Sequence, residues 1–233
     1  MLPASQALQT ALSSIANAVR RPNRPPPRLL AVSKTRDAEA VAAMAAAGQR
    51  AFGENYVQEA LPKIEALRPL GLEWHLIGHL QSNKAKDAAL AFAWVQTVDR
   101  AKLVDALARH RPDDAPPLNV LIQVNIDDEA SKHGCRPEDV PALADAIAAQ
   151  PSLRLRGLMA IPAPAPDPAR RRAAFRAMSA LFDATAARHP HIDTLSMGMS
   201  DDYVAAIEEG ATMVRIGSAL FGPRPPKHKD PEA

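Results

Sequence analysis

A chain of 233 residues with a formal net charge of +2 is long enough for one sizeable domain and has no room for a second catalytic domain. Lys and Arg form no long basic run and aromatic residues make up only 4%, so we expect no nucleic-acid surface. The single cysteine, Cys135, excludes an intrachain disulfide and favours a reducing, cytoplasmic setting. The sequence also lacks a signal-peptide pattern and any stretch of about 18 apolar residues, so we expect no membrane span.

The N-terminal residues 1–28 predict a helix and a connector. An amphipathic pattern covers about Ser5 to Arg20, and the prolines that follow up to Pro27 favour an extended segment. At the other end, Pro223 to Ala233 is rich in proline and charge, so we expect this tail to be disordered. Both segments belong to a single predicted domain over residues 1–233.

Between these ends, short apolar runs alternate with alanine-rich helical stretches. Eight strands are predicted: Leu29 to Lys34, Arg50 to Asn55, Glu73 to Gly78, Trp94 to Asp99, Asn119 to Asn125, Leu155 to Ile161, Thr194 to Gly198 and Met213 to Gly217. The helices between them are predicted at Ala38 to Ala47, Val57 to Leu67, Ser82 to Ala91, Ala101 to Arg109, Pro137 to Gln150, Pro168 to Arg188 and Asp201 to Glu209, with a short last one after Ser218. Eight repeats of one βα unit favour a closed (β/α)8 TIM barrel in the α/β class.

Lys34 stands at the end of the first predicted strand, where such barrels carry their chemistry. The chain has only eight lysines, and most of the others fall in polar, helical or tail contexts. A lysine amine that loses its proton can attack a carbonyl, so Lys34 is a candidate Schiff-base residue. The alternative is a strand-end lysine whose amine reaches water.

Other polar residues are predicted at the same rim. The turns around Ser200 and Ser218 follow strands seven and eight, where barrels often bind phosphate, although both serines could simply cap helices. Arg215 lies inside an apolar strand, so its guanidinium needs an acceptor, either a ligand or an acid such as Glu54. Asn55 could contact a ligand or cap the next helix.

Three further residues are weaker candidates. His75 and His79 are four residues apart, but the strand pattern ends between them, so we expect core or loop histidines and no metal site. Lys84 follows a possible helix cap, and we expect it to be solvated; it is the second candidate amine if Lys34 is inert.

Six motifs in order along the chain resemble the pyridoxal phosphate homeostasis protein family, over about Leu29 to Gly222. They are Leu30 to Thr35, Phe52 to Glu59, Trp74 to Lys84, Gly157 to Pro162, Ser196 to Asp202 and Val214 to Ser218. The departures are mild: Met197 and Ser218 stand where leucine and threonine are usual.

The resemblance implies an alanine-racemase-like barrel that holds pyridoxal 5'-phosphate (PLP) as an internal aldimine on Lys34. It also implies that Arg215 faces the pyridine nitrogen and that Asn55 lies beside the ring. Ser200, Gly217 and Ser218 would surround the phosphate. Ser196 and Met199, in the same segment as Ser200, complete the implied cofactor-binding set.

Three functions remain open at this stage. The first is a cytoplasmic PLP carrier that buffers or delivers the cofactor, without efficient catalysis, as a monomer whose partners are PLP and PLP-dependent apo-enzymes. The second is a single-domain PLP enzyme such as an amino-acid racemase. The third is a lyase in which Lys34 attacks a sugar phosphate without cofactor. Arg215 favours the first, because an arginine only donates hydrogen bonds and so keeps the ring nitrogen unprotonated. Racemisation would also need an acid or base on the far face, which fold-related racemases supply as a tyrosine from a second domain. The tyrosines of this chain, Tyr56 and Tyr203, begin helices.

Overall fold

The fold is a closed barrel of eight parallel strands. The computed structural model describes residues 3–19, 25–127, 133–162 and 167–223. The strands are β1 (Arg28–Val32), β2 (Ala51–Glu54), β3 (Glu73–Leu76), β4 (Trp94–Val98), β5 (Leu118–Val124), β6 (Leu153–Ala160), β7 (Thr194–Ser196) and β8 (Met213–Ile216). They pair in sequence order, and β8 closes the barrel against β1.

Helices cover the outside of this barrel. They are α1 (Ala4–Ala18), α2 (Ala38–Ala46), α3 (Val57–Ala66), α4 (Ala85–Ala91), α5 (Ala101–His110), α6 (Val140–Ala148), α7 (Pro168–Arg188), α8 (Tyr203–Glu208) and α9 (Ser218–Phe221). Three-residue 3-10 helices lie at Arg68–Leu70, Ser82–Lys84 and Pro137–Asp139. In the described part of the chain, no helix is long and apolar enough to span a membrane.

The predicted (β/α)8 barrel is confirmed, with differences only at element ends. The predicted helices at Ser82 and Pro137 begin as 3-10 turns before α4 and α6, and α8 begins at Tyr203. The strand predicted to reach Lys34 ends at Val32, because the chain turns there. Residues 20–24 of the N-terminal connector and residues 224–233 of the C-terminal tail lie outside the described residues.

Helix α1 is the addition to the eight βα units, and it packs against α2, α8 and α9. Its buried stripe consists of Ala7, Leu8, Ala11, Ile15 and Ala18. A hydrogen bond of 2.6 Å joins the hydroxyls of Ser14 and Tyr203, which fixes α1 against α8.

Side chains alternate along each strand, so buried residues pack on both faces of the sheet. The large core lies between the sheet and the helices. A small cluster of Leu30, Ala51, Ile77 and Met213 fills part of the barrel interior, with Val32 packed against it. The cavity described next opens above this cluster and includes Val32 and Ile77 in its wall.

Candidate functional site

A cavity of about 300 Å³ lies at the C-terminal end of the strands. Seven of the eight residues predicted to bind a cofactor line it: Lys34, Asn55, Met199, Ser200, Arg215, Gly217 and Ser218. The remaining lining residues are Val32, Thr35, Arg36, Ile77, Ile161, Asp201 and Gly222. The structure thus brings these seven residues together at one rim, whereas Ser196 does not line the cavity.

Lys34 occupies a tight turn directly after β1. The Ser33 amide still donates to the Gly53 carbonyl at 3.0 Å, and the Arg36 amide donates back to the Ser33 carbonyl at 3.1 Å. Lys34 and Thr35 are thus the two central residues of the turn. Thr35 has φ 65°, a left-handed conformation that a β-branched residue adopts only at a cost in energy. The strain lies beside the candidate Schiff-base lysine.

A buried ion pair supports this turn from outside the barrel. Lys63 Nζ lies 2.7 Å from Glu54 Oε1 and also donates to the Ser33 carbonyl at 3.0 Å. The Ser33 hydroxyl donates to the same Glu54 oxygen at 2.5 Å. The Lys63 and Glu54 side chains are 8% and 0% exposed. Sequence reasoning missed Lys63, which lies in a helical context like several other lysines; its place on the buried face of α3 was the available signal.

Asn55 reaches the cavity from the end of β2. The turn after β3 comes very close to Asn55: a Cβ on Gly78 would lie 2.0 Å from the Asn55 carbonyl oxygen. Only a glycine permits this approach, so Gly78 allows Asn55 and Ile77 to share one wall of the cavity.

The turns after β7 and β8 are joined to each other. The Arg215 amide donates to the Gly198 carbonyl at 3.0 Å, and the Gly217 amide lies 3.4 Å from the Ser200 hydroxyl. The residues that precede α8 and α9 are Asp202 and Gly217, so the alternative that Ser200 and Ser218 are N-caps is wrong. Both hydroxyls lie on the cavity wall instead.

Arg215 forms the buried floor of the cavity, with 3% exposure. It donates to the Ser196 hydroxyl and to the Ala160 carbonyl, each at 2.8 Å. Burial lowers the pKa of its guanidinium to about 10, and Asp202 opposes the shift. The group therefore remains a cation at neutral pH.

Glu54 is not the partner of Arg215, so that alternative is wrong. Side chains alternate along a strand, and Asn55 faces the cavity, so its neighbour Glu54 points out of the barrel toward α3.

Ser196 lies behind Arg215 and does not line the cavity. It is fully buried, and its hydroxyl accepts from Arg215 and donates to Gln96 Oε1 at 2.8 Å. Ser196, predicted as a cofactor ligand, therefore reaches the cavity only through its hydrogen bond with the Arg215 guanidinium. Strand alternation could show that Ser196 faces inward, but not how deep in the barrel it lies.

Charge in the cavity wall is mostly positive. Lys34, Arg36 and Arg215 are opposed by Asp201 alone among the lining residues. Arg36 also holds the C-terminal segment, because it donates to the Gly222 and Pro223 carbonyls at 2.6 and 2.7 Å. Sequence reasoning missed Arg36, although its place two residues after Lys34 could have indicated it. A cavity of this charge suits an anionic ligand.

The weaker candidates do not line the cavity. His75 is buried in the barrel, while His79 is exposed and stacks on His133 with ring centroids 3.7 Å apart. Within residues 3–19, 25–127, 133–162 and 167–223, no group of three His, Cys, Asp or Glu could hold a metal ion. Burial raises the pKa of the Cys135 thiol to about 12, so it is unreactive at neutral pH. Lys84 lies at the end of a 3-10 helix.

Comparison with known proteins identifies the family. Residues 5–225 match the model described as alanine racemase, N-terminal domain. The chain is 57% identical over 197 residues to the pyridoxal phosphate homeostasis protein of Pseudomonas aeruginosa, with 84% of each chain covered. It is 55% identical over 199 residues to that of Escherichia coli, with 84% of this chain and 85% of the relative covered. The chain belongs to the pyridoxal phosphate homeostasis protein family.

A solved structure connects this family to its ligand. PipY of Synechococcus elongatus, 35% identical, was solved with PLP bound and superposes with a TM-score of 0.81 over 94% of this chain and all 100% of that chain. Its PLP-free form superposes with a TM-score of 0.85. Alanine racemase of Corynebacterium glutamicum is only 19% identical, so its TM-score of 0.65 shows a shared fold alone.

Proposed function

We propose that this protein binds PLP at the cavity through Lys34 and serves to buffer or deliver the cofactor. The observation that supports this most strongly is the meeting, on one cavity wall, of an amine, a buried guanidinium and two hydroxyls. The cofactor carries an aldehyde, a ring nitrogen and a phosphate, so each of its reactive groups has a partner of matching chemistry.

The groups on the wall fit such a ligand. The net positive charge of the wall suits the phosphate dianion, and Ser200 and Ser218 offer hydroxyl donors in the two joined turns. Arg215 offers a donor to an unprotonated ring nitrogen. The place of Asn55 on the same wall agrees with a contact to the ring.

The same residues favour storage over turnover. When bound, PLP supplies an electron sink, which is strongest when its ring nitrogen is protonated. Arg215 is a cation that can only donate, so it favours the unprotonated ring. Racemisation also needs an acid or base on each face of the substrate. Tyr203 is bonded to Ser14 and Tyr56 is 59% exposed, and neither tyrosine is among the lining residues.

Delivery is tested by transfer of the cofactor. Protein loaded with PLP and freed of excess cofactor is mixed with a PLP-dependent apo-enzyme, whose recovered activity is followed in time. We expect recovery with the wild type and none with an equally treated Lys34→Ala variant. Equal recovery from both would contradict the proposal. Lys84→Ala, which changes a lysine away from the cavity, is the matched control and should behave as the wild type does.

Absence of efficient turnover is tested separately. The loaded protein is incubated with single L-amino acids in deuterated water, and α-deuteration is measured. We expect no more than a free-PLP control gives. Exchange well above that control, lost in Lys34→Ala, would support the racemase alternative.

The proposal has three further parts: a cytoplasmic location, a monomeric state, and PLP-dependent apo-enzymes as partners.

A further inference from the structure

A row of polar side chains crosses the barrel interior below Arg215. Glu73 begins β3 at the N-terminal face of the barrel and is 31% exposed. His75, Gln96 and Ser196 are each 0% exposed and lie between Glu73 and Arg215. These five residues, which we call the relay, connect the face opposite the cavity to the cavity floor.

Each step of the relay is a hydrogen bond. Arg215 Nη1 lies 2.8 Å from Ser196 Oγ, which lies 2.8 Å from Gln96 Oε1. Gln96 Nε2 lies 2.9 Å from His75 Nδ1. His75 Nε2 lies 2.5 Å from Glu73 Oε1, and this carboxylate also pairs with Arg28 at 2.8 Å.

The hydrogen bonds of the relay all run in the same donor-to-acceptor direction, from Arg215 to Glu73. An arginine can only donate, so Ser196 accepts from Arg215 and gives its own proton to the amide oxygen of Gln96. The Gln96 nitrogen then faces His75 Nδ1, which must accept, and the Nε2 proton of His75 goes to Glu73. Burial lowers the pKa of His75, which agrees with a neutral imidazole that has one donor and one acceptor. Every group in the relay therefore has a partner.

The carboxylate at the far end is charged. Burial opposes ionisation of Glu73, but hydrogen bonding to His75, with support from Arg28, holds the pKa of this carboxyl below its ordinary value. Hydrogen bonds that all point in one direction polarise one another. The relay thus connects the buried Arg215 cation to a carboxylate that it does not touch.

A purely structural barrel core does not need this arrangement. Leu30, Ala51, Ile77 and Met213 fill the adjacent part of the interior with apolar side chains, and the Met213 sulfur accepts from Gln96 Nε2 at 3.2 Å. Even a buried ion pair can often be replaced by well-packed apolar residues without loss of stability, so packing alone does not require polar residues under Arg215. What they supply is a fixed orientation for the guanidinium.

We propose that Glu73, His75, Gln96 and Ser196 are positioning residues that hold Arg215 in the orientation in which it contacts the cofactor ring. This inference rests on the proposed function, because it concerns how Arg215 meets PLP. Ser196 and the Ala160 carbonyl hold two of the N–H groups of Arg215, so the others remain to bind the ring nitrogen.

The test compares two ligands in relay and control variants. The ligands are PLP and its analogue with carbon in place of the ring nitrogen, which keeps the aldehyde and phosphate. Gln96→Met breaks the relay in its middle while keeping a similar volume. Gln49→Met is the matched control, because Gln49 is also buried and bonds the Leu29 and Ala51 carbonyls.

Dissociation constants of both ligands are measured by spectroscopic titration, with borohydride reduction to verify attachment to Lys34. We expect wild type and Gln49→Met to prefer PLP over the analogue, and Gln96→Met to lose about tenfold of that preference, the scale of one hydrogen bond to a charged group. Ser196→Ala removes a single hydroxyl and should lower the preference too, which keeps the test valid if Gln96→Met does not fold.

An unchanged preference in Gln96→Met or Ser196→Ala, with PLP bound at Lys34 of the wild type, would overturn the inference alone. A general loss of stability would weaken the binding of both ligands equally and leave the ratio of their dissociation constants unchanged. That outcome would therefore also count against the inference. A wild type that does not bind PLP at Lys34 would instead overturn the proposed function, and the inference with it.

Discussion

Lys63 and Glu54 form a buried ion pair of 2.7 Å directly behind the turn that presents Lys34. Both side chains also bind Ser33, Lys63 at its carbonyl and Glu54 at its hydroxyl. The backbone before Lys34 is thus held at two atoms, while Thr35 after it adopts φ 65°. The pair offsets the strain of that turn and fixes the start of the Lys34 side chain.

Lys63→Met should destabilise the protein strongly. The variant leaves the Glu54 carboxylate buried without its cation, and breaking such a pair costs about 3–5 kcal/mol. The free energy of unfolding from urea titration measures this effect. Lys86→Met is the matched control: Lys86 is an exposed lysine, so the change should stay within about 0.5 kcal/mol.

A double variant separates charge from packing in the same experiment. Lys63→Met combined with Glu54→Leu removes both charges and should recover most of the lost stability. If the double variant were as unstable as Lys63→Met alone, loss of packing and of the Ser33 contacts would explain the effect, and the unpaired carboxylate would not.

Lys34→Ala should abolish covalent retention of PLP and leave the fold intact. The residue lies in a turn on the cavity wall, outside the clusters of buried hydrophobic side chains that stabilise the barrel. Absorbance after gel filtration measures retention, and thermal unfolding of the cofactor-free proteins measures stability. A melting temperature of the variant far below that of cofactor-free wild type would contradict the second part.

Arg215→Ala should weaken PLP retention and also destabilise the cofactor-free protein. The change empties a buried site and removes the donors to Ser196 and Ala160, which leaves buried acceptors unpaired at a cost of about 1–3 kcal/mol each. Urea unfolding without cofactor and titration with PLP measure the two effects separately. Unchanged PLP affinity in a folded variant would show that Arg215 does not contact the cofactor.

His75 should make the protein less stable in mild acid. Burial lowers its pKa below the ordinary 6.5, although hydrogen bonding to Glu73 opposes the shift. Below pH 6.5 the unfolded chain therefore binds a proton that the native state does not. The free energy of unfolding then falls with falling pH, by up to about 1.4 kcal/mol per pH unit.

The free energy of unfolding is measured against pH between about pH 7 and pH 5, where native Glu73 stays ionised, and its slope is compared between variants. His75→Gln should be less stable overall but lose less stability per pH unit than the wild type. His191→Gln is the control for an exposed histidine, and its slope should stay closer to that of the wild type. Equal slopes for wild type and His75→Gln would show that His75 is protonated in both states or in neither.

Sequence patterns predicted the barrel because each βα unit carries its own local signal. The apolar run before Lys34 and the small-residue turns at Ser200 and Ser218 sit in βα units that repeat in order, so the strand ends had to meet at one rim. Of the eight residues that the sequence and the family resemblance assign to cofactor binding, seven line the cavity and Ser196 does not.

Contacts between distant parts of the chain could not be predicted in this way. Ser196 and Gln96 are 100 positions apart, and their hydrogen bond depends on how deep each side chain lies in the barrel. Lys63 is a different case: it lies nine positions from Glu54 and resembles an ordinary helix lysine, although it falls on the buried face of α3. The contact between Ser196 and Gln96 follows from three-dimensional packing, which no local pattern contains.

The central claim is that Lys34 carries the cofactor, and the most direct measurement is peptide mass spectrometry after borohydride reduction of protein incubated with PLP. Reduction makes the link to an amine permanent, so the modified lysine can be read from the peptide mass. We expect one pyridoxyl-phosphate adduct in the wild type, on Lys34, and no stoichiometric adduct on any lysine of Lys34→Ala. Folded wild-type protein without an adduct on Lys34 would contradict the proposed function.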